Sequence, residues 1–275
     1  AMVYIPIFIT MAFIVGVKKR YLVFFILTGL GIIILSFLPV WQHYILSRDF
    51  TVVHLLTDRL PVMYILLSLL VITAIAAFGL FYIKRQYFLW IIYGSSISFL
   101  SFLGSFAVRA VIKEYQIQRM IIFLDPTIDP RGAGWHIIQS LTAIGSGGFS
   151  GKGFLKGTQS HYRYLPQQST DFIFSILAEE WGFLGGVLIL ALFTVLLLRG
   201  LKIVANTKNV YTLSVGAGII AMLAFHMMIN IGMVMGLMPI TGLPLMFVSY
   251  GGSSLWAAFL GVGLILNIHK ERFNY

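Results

Sequence analysis

The sequence contains no cysteine and very few acidic residues. Of its 275 residues only nine are Asp or Glu, and charged residues of both signs make up 10% of the chain. Without cysteine, disulfides and thiolate chemistry are excluded from this chain. Soluble domains carry about 25% charged residues, so the low charge content excludes a separate water-soluble domain of any size.

Hydrophobic residues fill the chain instead. They make up 59% of it, and the mean hydropathy is +0.93. This composition predicts an all-α polytopic membrane protein. The net charge of +10 is interpreted as a topology signal of short loops, not as a sign of nucleic-acid binding. The first residues enter an apolar run without the basic region or cleavage site of a signal peptide, and we expect the C-terminal part of a longer protein.

Windows of about 20 apolar residues, the length that crosses a bilayer, predict about seven transmembrane helices. The short cationic loops alternate with the others and are assigned to the cytoplasm, together with the C-terminus. The other side receives one long extracytoplasmic loop, residues 113–170. The predicted spans are Met2–Val17 (expected to be truncated), Tyr21–Val40, Leu60–Ile83, Tyr87–Ile112, Phe172–Arg199, Val210–Leu237 and Leu245–Ile268.

A glycine-rich stretch, Gly145–Gly157, lies within the long loop. It matches neither a Walker A loop nor a dinucleotide fingerprint, so we interpret it as a flexible loop. The topology rule does not call for cations on this outer side of the membrane. Their charge is suited to binding a lipid-linked phosphate or pyrophosphate. A solvated loop that touches anionic headgroups is an equal alternative. These cations are Lys113, Arg119, Arg131, Lys152, Lys156 and Arg163.

Three of the nine acidic residues, Asp171, Glu179 and Glu180, lie at the entry to one predicted span, where carboxylates are functional candidates. The residues Ser169-Thr170-Asp171 before an apolar run are typical of a helix N-cap, which would lower the pKa of Asp171. A helix that runs from there to Arg199 would be about 45 Å long, so Asp171 is expected at the outer interface. Helical spacing keeps Glu179 and Glu180 from pairing closely with it.

The last hairpin contains Pro239 and Pro244, which predict a tight turn. The small residues 251–254 are expected to interrupt the final span, either for close helix packing or to expose backbone groups to a ligand. His226 and Asn230 lie one helical turn apart and are expected to form interhelical hydrogen bonds. Asp125 and Asp129 are interpreted as turn residues, and no metal ligands are predicted, since His136 and His161 lack the spacing.

From Tyr115 to the C-terminus, the motifs around Asp171 and in the last hairpin, together with the long loop, resemble the SEDS family (shape, elongation, division and sporulation). The resemblance rests on LPQQSTDFIFSILAEEWG, on the loop string FLDPTIDPRGAGWHIIQS, and on the pattern from Asn230 to Ser254. Gln167 and Ser169 depart from the family, which commonly has glutamate and histidine there. The signature positions are Asn230, Pro239, Gly242, Ser249, Tyr250, Gly251, Gly252 and Ser253.

The resemblance implies a single membrane domain over residues 1–275, with a possible inserted helical hairpin at 21–84 and a three-span core at 171–275. It implies a peptidoglycan glycosyltransferase that polymerises lipid II during cell elongation at the outer face of the bacterial inner membrane. Asp171 would then be the general base on the acceptor 4-hydroxyl. Residues expected to bind lipid II or its pyrophosphate are Arg131, Lys152, Lys156, Gln159, Arg163 and Thr170.

Partners implied by the resemblance are lipid II, the growing lipid-linked glycan, a class B penicillin-binding protein, other elongation-complex membrane proteins and membrane lipids. A divalent cation, magnesium or manganese, is the one candidate cofactor. Two other functions stay open, a lipid II flippase or transporter and a non-enzymatic scaffold that recruits the penicillin-binding protein. We expect this chain to be inactive by itself.

Overall fold

The structure is a computed structural model that describes residues 4–42, 51–130, 132–161 and 169–271. Every regular element in these ranges is a helix, which confirms the predicted all-α fold. A short 3-10 helix, Pro126–Ile128, stands between two of the α-helices. The α-helices are α1 (Tyr4–Val15), α2 (Lys19–Trp41), α3 (Thr51–Thr57), α4 (Arg59–Ile83), α5 (Gln86–Val111), α6 (Glu114–Leu124), α7 (Ala133–Gly147), α8 (Thr158–His161), α9 (Ile173–Ala205), α10 (Val210–Val234) and α11 (Gly252–Glu271).

Within these described ranges, six helices are long and apolar enough to cross a membrane: α2, α4, α5, α9, α10 and α11. The chain is therefore a multi-pass membrane protein. The predicted span Met2–Val17 corresponds to α1, an apolar helix of which 12 residues are described. The predicted start of the last span at Leu245 is wrong, because α11 begins only at Gly252. Residues 252–254 thus open this helix, Gly251 lies just before it, and none of them interrupts it.

One compact unit comprises Lys18–Ile117. In it, α2 and α4 both pack against α5. Arg109, near the end of α5, donates hydrogen bonds to the carbonyl oxygens of Leu35 and Thr57, which ties α2 and α3 to α5. The predicted insertion at 21–84 lies within this unit, and its being an insertion stays a prediction.

The other unit comprises Ala1–Val17 and Gln118–Tyr275. Here α9, α10 and α11 pack against one another, α1 packs on α10, and α7 packs on α9. Ser140 of α7 donates a 2.7 Å hydrogen bond to the carbonyl oxygen of Val234 and shares a 2.8 Å bond with Ser175. The largest core cluster of this unit joins α7, α9, α10 and the segment after α10, and contains Ala143, Phe172, Phe174, Phe193, Ile231, Met233, Val234 and Leu245.

The glycine-rich stretch is not the flexible loop that was expected. Gly145–Gly147 belong to α7, and the residues that follow dock onto a break in α9 at Gly182, where φ is +66°. A Cβ atom on Gly182 would lie 2.3 Å from the nitrogen of Gly151, and one on Gly151 would lie 2.1 Å from the oxygen of Glu180. Glycine is therefore required at both positions, because the two backbones touch there.

The docked segment satisfies the backbone groups that the break in α9 leaves unpaired. The nitrogens of Lys152 and Gly153 donate to the oxygens of Glu179 and Glu180, both at 3.0 Å. In return, the nitrogens of Phe183 and Leu184 donate to the oxygens of Gly148 and Phe149 at 2.9 and 3.2 Å. A helix within a membrane tolerates a break when protein groups replace its lost hydrogen bonds.

Candidate functional site

Asp171 lies in the turn Ser169–Phe172 that precedes α9, and its side chain is half-buried. The predicted helix cap is wrong. The N-cap position is Phe172, whose side chain makes no capping hydrogen bond. The carboxylate of Asp171 instead faces Gly242, since a Cβ atom on Gly242 would lie 3.4 Å from Oδ2. Gly242 has φ of +72°, a left-handed conformation that brings its bare backbone next to the carboxylate.

The buried side chain of Asn230 fixes the backbone at Asp171. Its Nδ2 donates to the carbonyl oxygen of Asp171 at 3.0 Å and to that of Leu243 at 2.6 Å. The expected interhelical hydrogen bonds are therefore wrong for both residues. The partners of Asn230 lie in irregular segments, and His226 bonds at 2.9 Å to the carbonyl oxygen of Met222 in its own helix. Asn230 therefore joins α10 to the turn before α9 and to the segment that follows α10.

Ser249 and Tyr250 hold the same turn from the other side. The hydroxyl of Ser249 donates to the carbonyl oxygen of Thr170 at 2.6 Å and accepts from the nitrogen of Leu245 at 2.7 Å. The nitrogen of Tyr250 donates to the carbonyl oxygen of Ser169 at 2.9 Å. Three consecutive carbonyl groups, those of residues 169–171, are thus bound by signature positions.

The remaining signature positions shape the irregular segment between α10 and α11. Pro239 and Gly242 lie within it, Gly251 ends it, and Gly252 and Ser253 open α11. The signature that the sequence presents as one string is therefore the part of the fold that contacts the turn at Asp171.

Burial raises the pKa of the Asp171 carboxyl above the usual range of aspartate. The hydrogen bond with the Thr170 side chain and the positive charge of Arg119 act in the opposite direction and are smaller. The lowered pKa expected from a helix cap is therefore wrong, because the group is partly removed from water and does not cap the helix. A raised pKa makes the carboxylate a stronger base.

Arg119 and His136 are two residues near this turn that the sequence reasoning did not assign to the site. Arg119 of α6 donates a 3.2 Å hydrogen bond to the carbonyl oxygen of Ile240 and acts electrostatically on Asp171. The His136 ring lies 6.2 Å from that of Phe172, and burial lowers its pKa. For Arg119 the only signal in the sequence was its place on the predicted outer side.

The other predicted binding residues divide into four groups. Thr170 adjoins Asp171. Lys152 and Gln159 are bound instead to Glu179, through the Nζ of Lys152 at 2.8 Å and the backbone nitrogen of Gln159 at 3.1 Å. Lys156 is exposed on the same segment. Arg131 and Arg163 lie outside the described residues.

The described residues offer no ready site for a divalent cation. Within those ranges, no three His, Asp or Glu side chains converge into a group that could hold a metal ion. Asp125 and Asp129 are turn residues as predicted, since each carboxylate accepts a 2.9 Å bond from a backbone nitrogen two or three residues on, that of Thr127 and of Gly132 respectively.

Comparisons with known proteins agree with this arrangement. The family described as cell cycle protein, which groups FtsW, RodA and SpoVE, matches residues 50–274. Peptidoglycan glycosyltransferase RodA of Treponema pallidum is 44% identical over 272 residues, which are 99% of this chain and 63% of that protein. Peptidoglycan glycosyltransferase MrdB of Escherichia coli K12 is 48% identical over 162 residues, 59% of this chain and 44% of the relative.

Stage V sporulation protein E of Bacillus subtilis is 46% identical over 182 residues, 64% of this chain and 50% of the relative. This chain thus spans about half to two thirds of the length of these curated relatives. Of these three relatives, RodA is the one matched over nearly the whole of this chain.

A solved structure shares the fold. A chain from a peptidoglycan synthase complex superposes with a TM-score of 0.52 at 22% identity, over 100% of this chain and 89% of that one. Identity this low supports likeness of fold alone, whereas the match to the family covers most of the sequence. The chain therefore belongs to the SEDS family, the family of FtsW, RodA and SpoVE.

Proposed function

We propose that this chain carries the catalytic aspartate of a peptidoglycan glycosyltransferase that polymerises lipid II into glycan strands during cell elongation. The relatives named above as peptidoglycan glycosyltransferases support this reaction. The observation that carries the proposal is the setting of Asp171, whose backbone is held by Asn230 and Ser249 while its carboxylate is half-buried with a raised pKa. A scaffold would need no such residue.

In the proposed reaction, the 4-hydroxyl of the acceptor lipid II attacks the anomeric carbon of the lipid-linked donor glycan. The carboxylate of Asp171 takes the hydroxyl proton as the new carbon–oxygen bond forms. The bond from the anomeric carbon to the pyrophosphate breaks, its electron pair leaves with the polyprenyl pyrophosphate, and the anomeric configuration inverts. The charge that acts on the Asp171 carboxyl is that of Arg119 and not that of a second carboxylate, so Asp171 would act as a single base.

The leaving pyrophosphate needs positive charge as it departs. Arg119 is the cation that acts on Asp171, so we propose that it binds the substrate phosphates beside the reacting centre. Lys156 is a second candidate, since its side chain is exposed on the segment after α7. Thr170 would orient the Asp171 carboxylate through the hydrogen bond between their side chains.

The same proposal places the protein in the bacterial inner membrane, with the turn at Asp171 on the extracytoplasmic face and the C-terminus in the cytoplasm. The cationic ends of α9 and α11, which carry Lys202 and Lys270, support this orientation by the positive-inside rule. A class B penicillin-binding protein is the proposed partner. The structural neighbour comes from a synthase complex that coordinates polymerisation and crosslinking.

The test is a polymerisation assay with labelled lipid II, using the full-length protein together with its penicillin-binding partner. Asp171→Asn keeps the size of the side chain and removes the base, so we expect a loss of at least about 100-fold in rate, the usual contribution of a general base. Asp125→Asn is the matched control, because this exposed carboxylate only accepts bonds from its own turn. Near-normal polymer from Asp171→Asn would remove the catalytic assignment and leave a flippase or a scaffold.

A further inference from the structure

Glu179 is a fully buried carboxylate that the proposed chemistry does not use. Its side chain is 0% exposed, and its Oε1 accepts from Lys152 Nζ at 2.8 Å, Thr158 Oγ1 at 3.0 Å and the backbone nitrogen of Gln159 at 3.1 Å. A fourth, longer contact of 3.5 Å comes from Ser146 Oγ. One oxygen atom thus collects donors from the end of α7, the docked segment and the start of α8.

The ammonium group of Lys152 binds two of the groups in this cluster. Besides its ion pair with Glu179 it donates a 2.8 Å hydrogen bond to Thr158 Oγ1. The backbones of Lys152 and Glu179 are also joined, because the nitrogen of Lys152 donates a hydrogen bond to the carbonyl oxygen of Glu179 at 3.0 Å. Lys152 is therefore fixed by both its main chain and its side chain, whereas Lys156 on the same segment is exposed.

The pair lies where α9 is broken. Glu179 stands three residues before Gly182, the non-helical position of this helix. About 20 residues at 1.5 Å each separate Glu179 from Arg199, a distance close to the roughly 30 Å of the hydrocarbon core. Glu179 is thus expected at the membrane boundary on the side of Asp171, where an unpaired buried charge would be costly and a paired one is tolerated.

We propose that Glu179 and Lys152 are a positioning pair that holds the segment Lys152–Gln159 against the broken helix. Lys152 then has a structural role. Its charge is neutralised by Glu179, and it is not a ligand of the pyrophosphate. The pair sets the place of Lys156 on this segment for contact with the lipid-linked substrate. This inference rests on the proposed function for its kinetic consequence, but its structural content is independent of it.

The test uses Glu179→Gln, Lys152→Gln and the double variant in the full-length protein with its partner. Lys152→Gln leaves the buried charge of Glu179 without its partner, and Glu179→Gln leaves the half-buried charge of Lys152 without its partner. In each case we expect the KM for lipid II to rise about tenfold, within the usual coupling of a contacting pair. The kcat should fall less, because Asp171 is untouched. In the double variant two amides replace the ion pair without a net charge, and KM should return to within about threefold of wild type. Ser150→Ala, an exposed change two residues before this segment, should leave the kinetics unchanged.

A second measurement does not depend on activity. Limited proteolysis with trypsin, read by mass spectrometry at the bond after Lys156, reports release of the segment. We expect faster cleavage in both single variants and wild-type cleavage in the double variant. If the wild-type protein makes no glycan, the proposed function fails, while this cleavage pattern still decides whether the pair holds the segment.

Three results would overturn the proposal. In the first, Glu179→Gln behaves as wild type while Lys152→Gln and the double variant lose activity equally, which would make Lys152 a direct substrate ligand. In the second, both single variants match wild type in kinetics and cleavage. In the third, the single variants lose activity with a wild-type cleavage pattern and the double variant does not recover.

Discussion

The side-chain amide of Asn230 donates a 3.0 Å hydrogen bond to the backbone carbonyl of Asp171, 59 residues earlier in the chain. The same amide nitrogen reaches the carbonyl oxygen of Leu243. A residue inside α10 thereby fixes the position of the turn before α9 relative to the segment before α11. The carboxylate proposed as the base is positioned through its main chain by a residue that never touches it.

Asn230→Ala should therefore damage both stability and activity. The change leaves the carbonyl oxygens of Asp171 and Leu243 without this donor in a buried place, at a cost of about 1–3 kcal/mol. Thermal unfolding in detergent measures the stability, and the lipid II assay measures the activity. The matched control is His226→Met, one turn earlier, since His226 bonds only within its own helix. Equal losses of activity in the two variants would contradict the positioning role of Asn230.

Ser249→Ala should lower the polymerisation rate more than Ser254→Ala. Ser249 bridges the nitrogen of Leu245 and the carbonyl oxygen of Thr170, so its loss frees the turn next to Asp171. Ser254 bonds only to the carbonyl oxygen of Gly251, three residues before it. We expect a rate loss of about tenfold for Ser249→Ala, equivalent to about 1.4 kcal/mol, a typical value for one hydrogen bond. A Ser254→Ala variant as slow as Ser249→Ala would refute this prediction.

Gly242→Ala and Gly236→Ala form a matched pair at positive φ. Their φ angles are +72° and +69°, so each alanine should cost about 1–2 kcal/mol of stability from backbone strain. Only at Gly242 would the new methyl group meet the carboxylate of Asp171, at 3.4 Å, whereas at Gly236 it would meet side-chain carbons no closer than 3.7 Å. We expect similar losses in thermal stability but a larger loss of polymerisation for Gly242→Ala. Equal activities of the two variants would show that the methyl group does not disturb Asp171.

Asp171→Asn should make the protein more stable at neutral pH. Burial raises the pKa of Asp171 in the folded state, so the folded protein binds this proton more tightly than the unfolded chain does. The stability of the wild type therefore falls as the pH rises from the ordinary aspartate pKa through the raised one. The variant has no such dependence. Its Tm should exceed that of wild type at about pH 7, and the gap should close below about pH 4.

A lower Tm for Asp171→Asn at neutral pH would mean that the charge of Arg119, and not burial, dominates at Asp171. In the wild-type enzyme the same raised pKa predicts that activity declines on the acid side at a higher pH than an ordinary aspartate would give. A pH profile of kcat/KM measures this limb directly.

Composition and apolar run length were enough to predict the membrane-spanning helices and the all-α fold. Each span depends on its own residues, because a bilayer selects about 20 apolar residues in a row. The helical interiors of α4, α5 and α10 match the predicted spans closely for this reason. The start of α11 was misplaced, because the apolar residues Leu245–Val248 belong to an irregular segment. Its backbone is held by local bonds, among them those from the nitrogen of Leu245 to Ser249 Oγ and from the nitrogen of Val248 to the oxygen of Leu245.

Asp171 could be found from the sequence as a scarce charge within a recognisable motif, but its surroundings could not. Its contacts with Gly242, Asn230 and Arg119 join residues more than fifty positions apart. The periodicity of a sequence does not predict contacts between residues so far apart. The glycine-rich stretch was wrongly predicted to be a flexible loop, because its contacts are also with residues distant in the sequence. Glycine is typical of a flexible loop as well as of two backbones in contact.

The sequence by itself therefore determined the six membrane-length helices and the family, and it marked Asp171 as the candidate base. Each of these depends on local composition or on the order of residues along the chain. Only the tertiary structure decided that the carboxyl group of Asp171 is half-buried and does not occupy the N-cap position, and that Lys152 is paired with Glu179. Both outcomes depend on which groups exclude water and which charges meet, and the packing of α7, α9 and α10 against one another contributes to both.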